Sequence, residues 1–209
     1  MYVDRIEAGH VLAGALKKFQ TEPVLLLAVP RGGIPVAYVV ARELGFPLDL
    51  LLTKKIGHPM NHEYAIGAVS MSDSMIVPHE GVDNEYLQAE IHSIRTQLKA
   101  MYTKFMGDKE PEKIRDKTLI VIDDGVATGN TLISTINMLK KENPRKIVIA
   151  VPVAALKAVN KLSRFVDEVV CPGTPYGFTG VSAYYENFDQ VTDEEVLFCL
   201  NQLNEKSER

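Results

Sequence analysis

Two adjacent acids, Asp123 and Asp124, end an apolar run and open a Gly/Thr-rich turn in the segment Thr118–Leu132, TLIVIDDGVATGNTL. Backbone N–H groups of a tight glycine-containing turn, followed by the positive end of a helix, make a cradle for phosphate. Two carboxylates would repel a bare phosphate, so they must face another group. The vicinal hydroxyls of a ribose suit them, because a carboxylate accepts strong charged hydrogen bonds from a diol. The competing reading is an ordinary Asp-Asp-Gly turn before a Thr-capped helix. A Walker-type nucleotide loop is disfavoured, since no Lys follows Gly129 and the glycine spacing differs.

Such a loop needs a scaffold, and the hydrophobic pattern supplies one. Asp4 with Glu7 reads as a helix cap and capping-box partner, with Ile6, Leu12, Leu16 and Phe19 as the apolar face that follows. Val24–Val29 is a buried strand, Ile34–Leu44 a helix stopped by Gly45, and Leu48–Thr53 the next strand. Strand, helix, strand in that order implies parallel pairing through a right-handed crossover. A Gly/Pro/His-rich stretch, Gly57–Tyr64, reads as a loop before strands at Ile66–Val69 and Met75–Val77. From Asp83 to Met106, Leu87, Ile91, Ile94, Leu98, Met101 and Phe105 recur in steps of three and four, which predicts an amphipathic helix. That face packs on the domain or on a partner subunit, which leaves room for a homodimer. The Thr118–Ile122 strand, Thr131–Lys141 helix, Lys146–Val151 strand, Ala154–Leu162 helix and Glu168–Val170 strand follow, before a Gly- and aromatic-rich segment and a last helix capped by Thr192 with Glu195. The fold class is therefore α/β, a doubly wound parallel sheet flanked by helices, in one domain over residues 1–209 with a small C-terminal hood at 172–190. In such sheets the loops at the carboxyl ends of the strands gather the polar chemistry.

Composition sets the outer limits. With 209 residues, 46% of them apolar and 24% charged, the chain suits one globular domain. Its longest apolar runs are strand-length, which argues against membrane insertion. Asp4, Arg5 and Glu7 lie where a signal peptide would need an apolar region, so cytoplasmic residence is the expectation. Cys171 and Cys199 show no CxxC or Cys/His spacing and read as small buried hydrophobes. A net charge of −4 disfavours nucleic acid as a partner.

The acid-pair loop closely resembles the signature of type I phosphoribosyltransferases, which use phosphoribosyl pyrophosphate (PRPP) as donor. The resemblance implies that Asp123 and Asp124 hold the ribose 2′- and 3′-hydroxyls. It also implies that Gly125, Val126, Ala127, Thr128, Gly129, Asn130 and Thr131 surround the 5′-phosphate. Arg31-Gly32-Gly33 resembles the family's pyrophosphate loop, although the same residues could form only a tight turn. Lys54 and Lys55, at the end of the next strand, could neutralise pyrophosphate, with one of them turned outward. The family places a mobile lid just after this strand, so Gly57–Tyr64 is the expected lid and Glu63 within it the candidate acid/base. Catalysis is thus expected of Asp123, Asp124 and Glu63. Mg²⁺ is the implied cofactor, bound mainly through substrate oxygens rather than dedicated protein ligands.

Across nearly the whole chain the sequence is similar to a group of uncharacterised phosphoribosyltransferase-like proteins, through the Lys54–Val69 segment KKIGHPMNHEYAIGAV, the IDDGVATG loop, AVPVA and a C-terminal YxxF. Basic residues usual in that group's connecting helix are replaced by Gln97, Leu98 and Lys99. The resemblance implies transfer of phosphoribose from PRPP to a nitrogen nucleophile, a nucleobase by the family's habit, with release of pyrophosphate. Ala127 stands where hypoxanthine/guanine-type members carry a further Asp, which argues against that acceptor. Phe178, Tyr184 and Tyr185 could stack on a planar base or could pack the hood. A noncatalytic PRPP- or nucleotide-sensing module is the alternative function. The two intact anion loops, and the lack of a helix-turn-helix or basic face, favour the enzyme.

Overall fold

The structure, a computed structural model, describes residues 1–207, with the side chains of Glu63 and of residues 204–207 outside that description. In chain order the elements are α1 (Arg5–Leu16), a 3-10 turn (Lys17–Phe19), β1 (Val24–Ala28), α2 (Gly33–Leu44), β2 (Leu48–Leu50), β3 (Thr53–His58), β4 (Asn61–Ser70), β5 (Ser74–Ile76), α3 (Asn84–Met106), β6 (Thr118–Ile122), α4 (Asn130–Lys140), β7 (Lys146–Ala150), α5 (Leu156–Leu162), β8 (Glu168–Val170), a second 3-10 turn (Val181–Tyr184) and α6 (Asp193–Ser207). They form two compact units. The first holds Met1–Leu51, Pro111–Gly129 and Asn143–Arg209, and the second Leu52–Glu110 and Asn130–Glu142.

The first unit is built on a parallel five-stranded sheet in the order β2-β1-β6-β7-β8. The two central strands are in register from Val24 opposite Thr118 to Ala28 opposite Ile122. Every residue of both is buried, which explains why they read as unbroken apolar runs rather than alternating ones. Helices α1 and α2 pack closely, at a point where Gly9 lets the α2 backbone approach: a Cβ there would stand 2.7 Å from the Val39 Cβ. Asp4 caps α1 by accepting the Ile6 and Glu7 N–H groups, as expected. Glu7, however, takes the N–H of Val3 rather than that of Asp4, so the capping box is displaced by one residue. At α6 the box is complete, with Glu195 N–H donating to Thr192 Oγ1 and Thr192 N–H to Glu195.

The second unit carries an antiparallel sheet, β3-β4-β5, against which α3 and α4 pack. Two expectations are corrected here. Leu48–Thr53 is not one strand: β2 ends at Leu50 and Thr53 opens β3 in the other sheet. Two consecutive exposed lysines, Lys54 and Lys55, follow at once, which a central parallel strand buried on both faces would not hold. Nor is Gly57–Tyr64 a loop. It is the tip of a hairpin, with Gly57 opposite Ala65 and His58 opposite Asn61 around a turn at Pro59 and Met60. His58 Nδ1 accepts the Met60 N–H across that turn. A Cβ at Gly57 would meet the His62 carbonyl oxygen at 2.5 Å, so the Gly that suggested a loop instead admits the opposite strand. Along α3 the buried seam runs Ile91, Ile94, Leu98, Tyr102, Phe105, and the expected Met101 lies outside it. Among the described residues no helix is long and apolar enough to cross a membrane.

The α1–α2 crossing is open to a direct test. Replacing Gly9 with Leu adds a side chain where a single Cβ already crowds Val39, and overpacking of this kind costs about 1–3 kcal/mol. Better helix propensity returns at most about 1 kcal/mol. Urea unfolding should show a net loss of stability; a midpoint at or above that of the parent chain would contradict the close crossing.

Candidate active site

Parallel neighbours β1 and β6 end on the same edge of the sheet, so the loops that follow them meet. The meeting is tight. A Cβ on Gly32 would overlap the Asp124 carboxylate, 2.7 Å from its carbon, and one on Gly33 would stand 2.5 Å from the Ile122 carbonyl oxygen. The Arg31-Gly32-Gly33 turn is therefore pressed against the acid pair, and its glycines are a requirement of that contact. The Pro30–Arg31 peptide is cis. Arg31 itself reaches the other way: its Nε lies 2.8 Å from Asp193 Oδ1 at the start of α6.

Beyond the acids, Val126 bridges to the β7 exit, donating to the Val153 carbonyl and accepting from the Ala155 N–H, both at 3.0 Å. Gly125 has no room for a side chain, since a Cβ would lie 2.5 Å from Val181. Gly129 adopts φ +70°, the left-handed conformation that glycine takes without strain. Ala127 and Thr128 are exposed between these two fixed points. Asn130 and Thr131 are the first two residues of α4 and belong to the second unit.

Against the acid-pair loop lies the segment 172–190, expected from the sequence as a hood and held by residues 2 and 3. Tyr2 N–H donates to the Tyr184 carbonyl at 2.8 Å, and Tyr2 and Val3 carbonyls accept from Glu186 and Asn187. Tyr185 is 5% exposed, its ring packed between those of Tyr2 and Phe188 with centroids 5.5 and 4.9 Å away. Its hydroxyl donates to the Asp124 backbone carbonyl at 2.6 Å. Tyr185 is thus a support of the acid loop rather than an open stacking surface. Phe178 and Tyr184, both half-buried, stack on each other at 5.4 Å.

The hood also contacts a residue that sequence reasoning did not assign. Arg5, in the first turn of α1, donates from Nε to Asp124 Oδ2 at 2.9 Å and from Nη1 to the Asp189 carbonyl at 2.9 Å, and its guanidinium lies 3.9 Å from the Phe188 ring centroid. A signal for it exists: the first turn of a helix disfavours a cation, so an arginine buried there needs an acid from elsewhere.

In the second unit Lys54 and Lys55 are both exposed, and Lys54 Nζ donates to Gln97 at 2.8 Å. Gln97 serves that contact and buried Leu98 the α3 core. Glu63 lies in β4 by its backbone, and its side chain falls outside the described residues. Among the described residues no three His, Cys, Asp or Glu side chains are placed to hold a metal ion. The hard oxygens of the acid pair suit Mg²⁺ only as part of a shell completed by substrate and water. Cys199 is buried and Cys171 half-buried, and burial pushes both thiols up to about 11, in keeping with inert packing roles.

Burial raises both carboxyls of the pair. Asp123 is pushed up to about 8, by desolvation first and then by the neighbouring charge of Asp124, whereas Arg5 opposes the rise at Asp124. An aspartate in the unfolded chain titrates near 4. Between that value and about 8 the folded protein keeps a proton that the unfolded chain has lost, so this group makes stability fall as pH rises through the window. Asp123→Asn removes the effect. In ligand-free protein the Tm of the variant minus that of the parent should grow steadily more positive from pH 5 to pH 8, and a difference that does not change with pH would contradict the assignment.

Comparisons with known proteins agree with this geometry. A family model described as the phosphoribosyl transferase domain matches residues 3–186. A provisionally named phosphoribosyl transferase of Mycobacterium tuberculosis is 32% identical over 206 residues, covering 96% of this chain and 46% of that protein. The chain thus spans about half the length of that curated relative. A uracil phosphoribosyltransferase of Mycoplasma genitalium is 33% identical over 138 residues, covering 65% of this chain and 60% of that one. The crystal structure of a Thermus thermophilus protein superposes with a TM-score of 0.85 at 36% identity, covering 97% of this chain and 99% of that one. With the acid-pair loop and the glycine turn behind it both inside the matched residues, the chain belongs to the phosphoribosyl transferase domain family.

Proposed function

We propose that this chain transfers a phosphoribosyl group from PRPP to a nitrogen of a nucleobase, releasing pyrophosphate, as one phosphoribosyltransferase domain with its hood at 172–190. The observation that carries the reading is the pair of adjacent half-buried acids, backed by Gly32 and held at the Asp124 carbonyl by Tyr185. In the reaction a C–N bond forms at the anomeric carbon as the bond to the pyrophosphate oxygen breaks. Asp123 and Asp124 accept hydrogen bonds from the 2′- and 3′-hydroxyls and fix the ribose. Gly125 to Thr131 take the 5′-phosphate through main-chain N–H groups and the hydroxyls of Thr128 and Thr131. Positive charge develops on the ribose as pyrophosphate departs, so holding the partners in line and stabilising the leaving charge carry most of the catalysis.

Arg31 serves the pyrophosphate, exchanging Asp193 for it; the pair is half-exposed, and such pairs are worth roughly 1 kcal/mol or less. Lys54 and Lys55 are the further candidates for that anion. Mg²⁺, when bound with the donor, supplies neutralisation of pyrophosphate charge. Glu63 is the proposed acid/base toward the acceptor. Phe178 and Tyr184 are the aromatic residues left for the base, Tyr185 being enclosed by Tyr2 and Phe188. Uracil enters the panel of acceptors because a relative is named for it, and Ala127 weighs against hypoxanthine and guanine.

Pyrophosphate release from PRPP and Mg²⁺ over a panel of nucleobases tests the reaction. Turnover with one base is expected, with Glu63→Gln lowering the rate more than donor affinity. Tight PRPP binding without turnover on any base would mark a sensing module instead. For the donor site, the Asp123→Ala/Asp124→Ala double variant should lose at least about 1–3 kcal/mol of PRPP affinity by calorimetry. Arg31→Ala should weaken PRPP more than a nucleoside monophosphate, and equal losses for the two ligands would end its assignment to pyrophosphate.

A further inference from the structure

The mechanism gives no task to the cation nearest the acid pair. Arg5 is 12% exposed and Asp124 14%, so their ion pair is largely removed from water. Its holders come from two segments, Asp124 on the β6 loop and Phe188 with the Asp189 carbonyl in the hood. The consequence for the acids is a matter of counting oxygens. Asp124 Oδ2 is taken by Arg5 Nε and crowded by Gly32. Asp123 Oδ1 accepts the Asp124 N–H at 2.9 Å. Tyr185 holds Asp124 by its main-chain carbonyl. Each acid therefore has one oxygen committed to another residue, while Asp123 Oδ2 and Asp124 Oδ1 take no donor from another residue among the described hydrogen bonds. A vicinal diol brings two O–H donors to these two oxygens, that of Asp123 accepting once its carboxyl has given up its proton.

We infer that Arg5 is a positioning residue of the donor site: it pins one oxygen of Asp124, presents the other to the ribose hydroxyls, and ties that acid to the hood through Phe188 and Asp189. The inference rests on the reading of the acid pair as the diol site. The charged or titratable groups facing Asp124 are Asp123 on its own loop, Arg5 from α1 and Tyr185 from the hood; Arg31 on the β1 loop is paired with Asp193. Arg5 also lines a cavity of about 480 Å³ with Ile6, Tyr38, Asp189, Glu194 and Phe198, so a small cation can reach the place of its guanidinium.

A plain structural salt bridge and a positioning residue differ in what they do to sugar selectivity. Calorimetry with ribose 5-phosphate and 2-deoxyribose 5-phosphate reads it, with PRPP and Mg²⁺ as the control for the site. The parent chain should prefer the ribose sugar about tenfold, the worth of one charged hydrogen bond. Arg5→Met should lose most of that preference while its affinity for the deoxy sugar, set by the phosphate loop, stays within about twofold. Arg5→Lys should keep part of it, and added guanidinium ion at millimolar concentration should restore part of it to Arg5→Ala. A folded Arg5→Met with the parental preference would overturn the inference, as would equal losses for both sugars. If the Arg5 variants do not fold, Phe188→Leu leaves the ion pair but removes its backing ring and should cut the preference about threefold; an unchanged preference there overturns it equally. A parent chain that fails to bind PRPP strikes the diol reading itself, and this inference with it.

Discussion

Two carboxyl groups on consecutive residues, both drawn partly out of water, are the constraint around which the first unit is arranged. Burial raises both carboxyls, and the neighbouring charge of Asp124 raises Asp123 further. Such a pair persists in a fold only if the surroundings supply compensating contacts. Here they are few and specific: the Arg5 guanidinium, one main-chain N–H, and a backbone held from the hood by Tyr185. The same groups that make the acids tolerable also limit how they can face a ligand. Stability and presentation are in this way two effects of one set of contacts, with stability the poorer for it, as is common at functional sites.

The segment 172–190 meets the same loop through the Tyr185 hydroxyl. Its aromatic residues form a small core with Tyr2, Ala8 and Val153, and that core is fastened to the sheet side by the Tyr2 hydroxyl on the Pro152 carbonyl and by the short parallel pairing of residues 2–3 with 184–187. Aromatic rings that a sequence presents as stacking surfaces are here mostly a means of carrying one hydroxyl, that of Tyr185, to one carbonyl. The distinction is physical. A ring enclosed between two others has no face left for a ligand, whereas the half-buried Phe178 and Tyr184 retain part of theirs.

What could be read from the sequence was what is local. The β6 strand, its acids and the turn beyond them lie within fifteen consecutive residues, and the buried central strands announce themselves as apolar runs. The glycines of the β1 loop were legible as a turn, but not their reason, because the crowding comes from Asp124, more than ninety residues away in the chain. Arg5 escaped notice for the same cause: it lies 119 residues from its partner, and only its unfavourable position in a helix's first turn hinted at one. Gly57, Pro59 and the histidines suggested an irregular loop because turn-forming residues mark a hairpin tip as readily as a loop. Met101 and Tyr102 exchanged places because a helix drifts against any fixed spacing, and over six turns the drift moves the buried stripe by a residue.

The absence of a side chain at position 32 has a bearing on descent. Any larger residue there would overlap the Asp124 carboxylate, so the two positions cannot vary independently. A lineage that keeps the acid is bound to keep the glycine. The reverse order is open: once the acid has been exchanged for something smaller, the space it leaves admits a side chain on the neighbouring loop. That new side chain would then stand where the carboxylate must return. Loss of the acid followed by growth at position 32 is therefore a step hard to retrace, and a descendant that has taken it would have given up the acid pair for good.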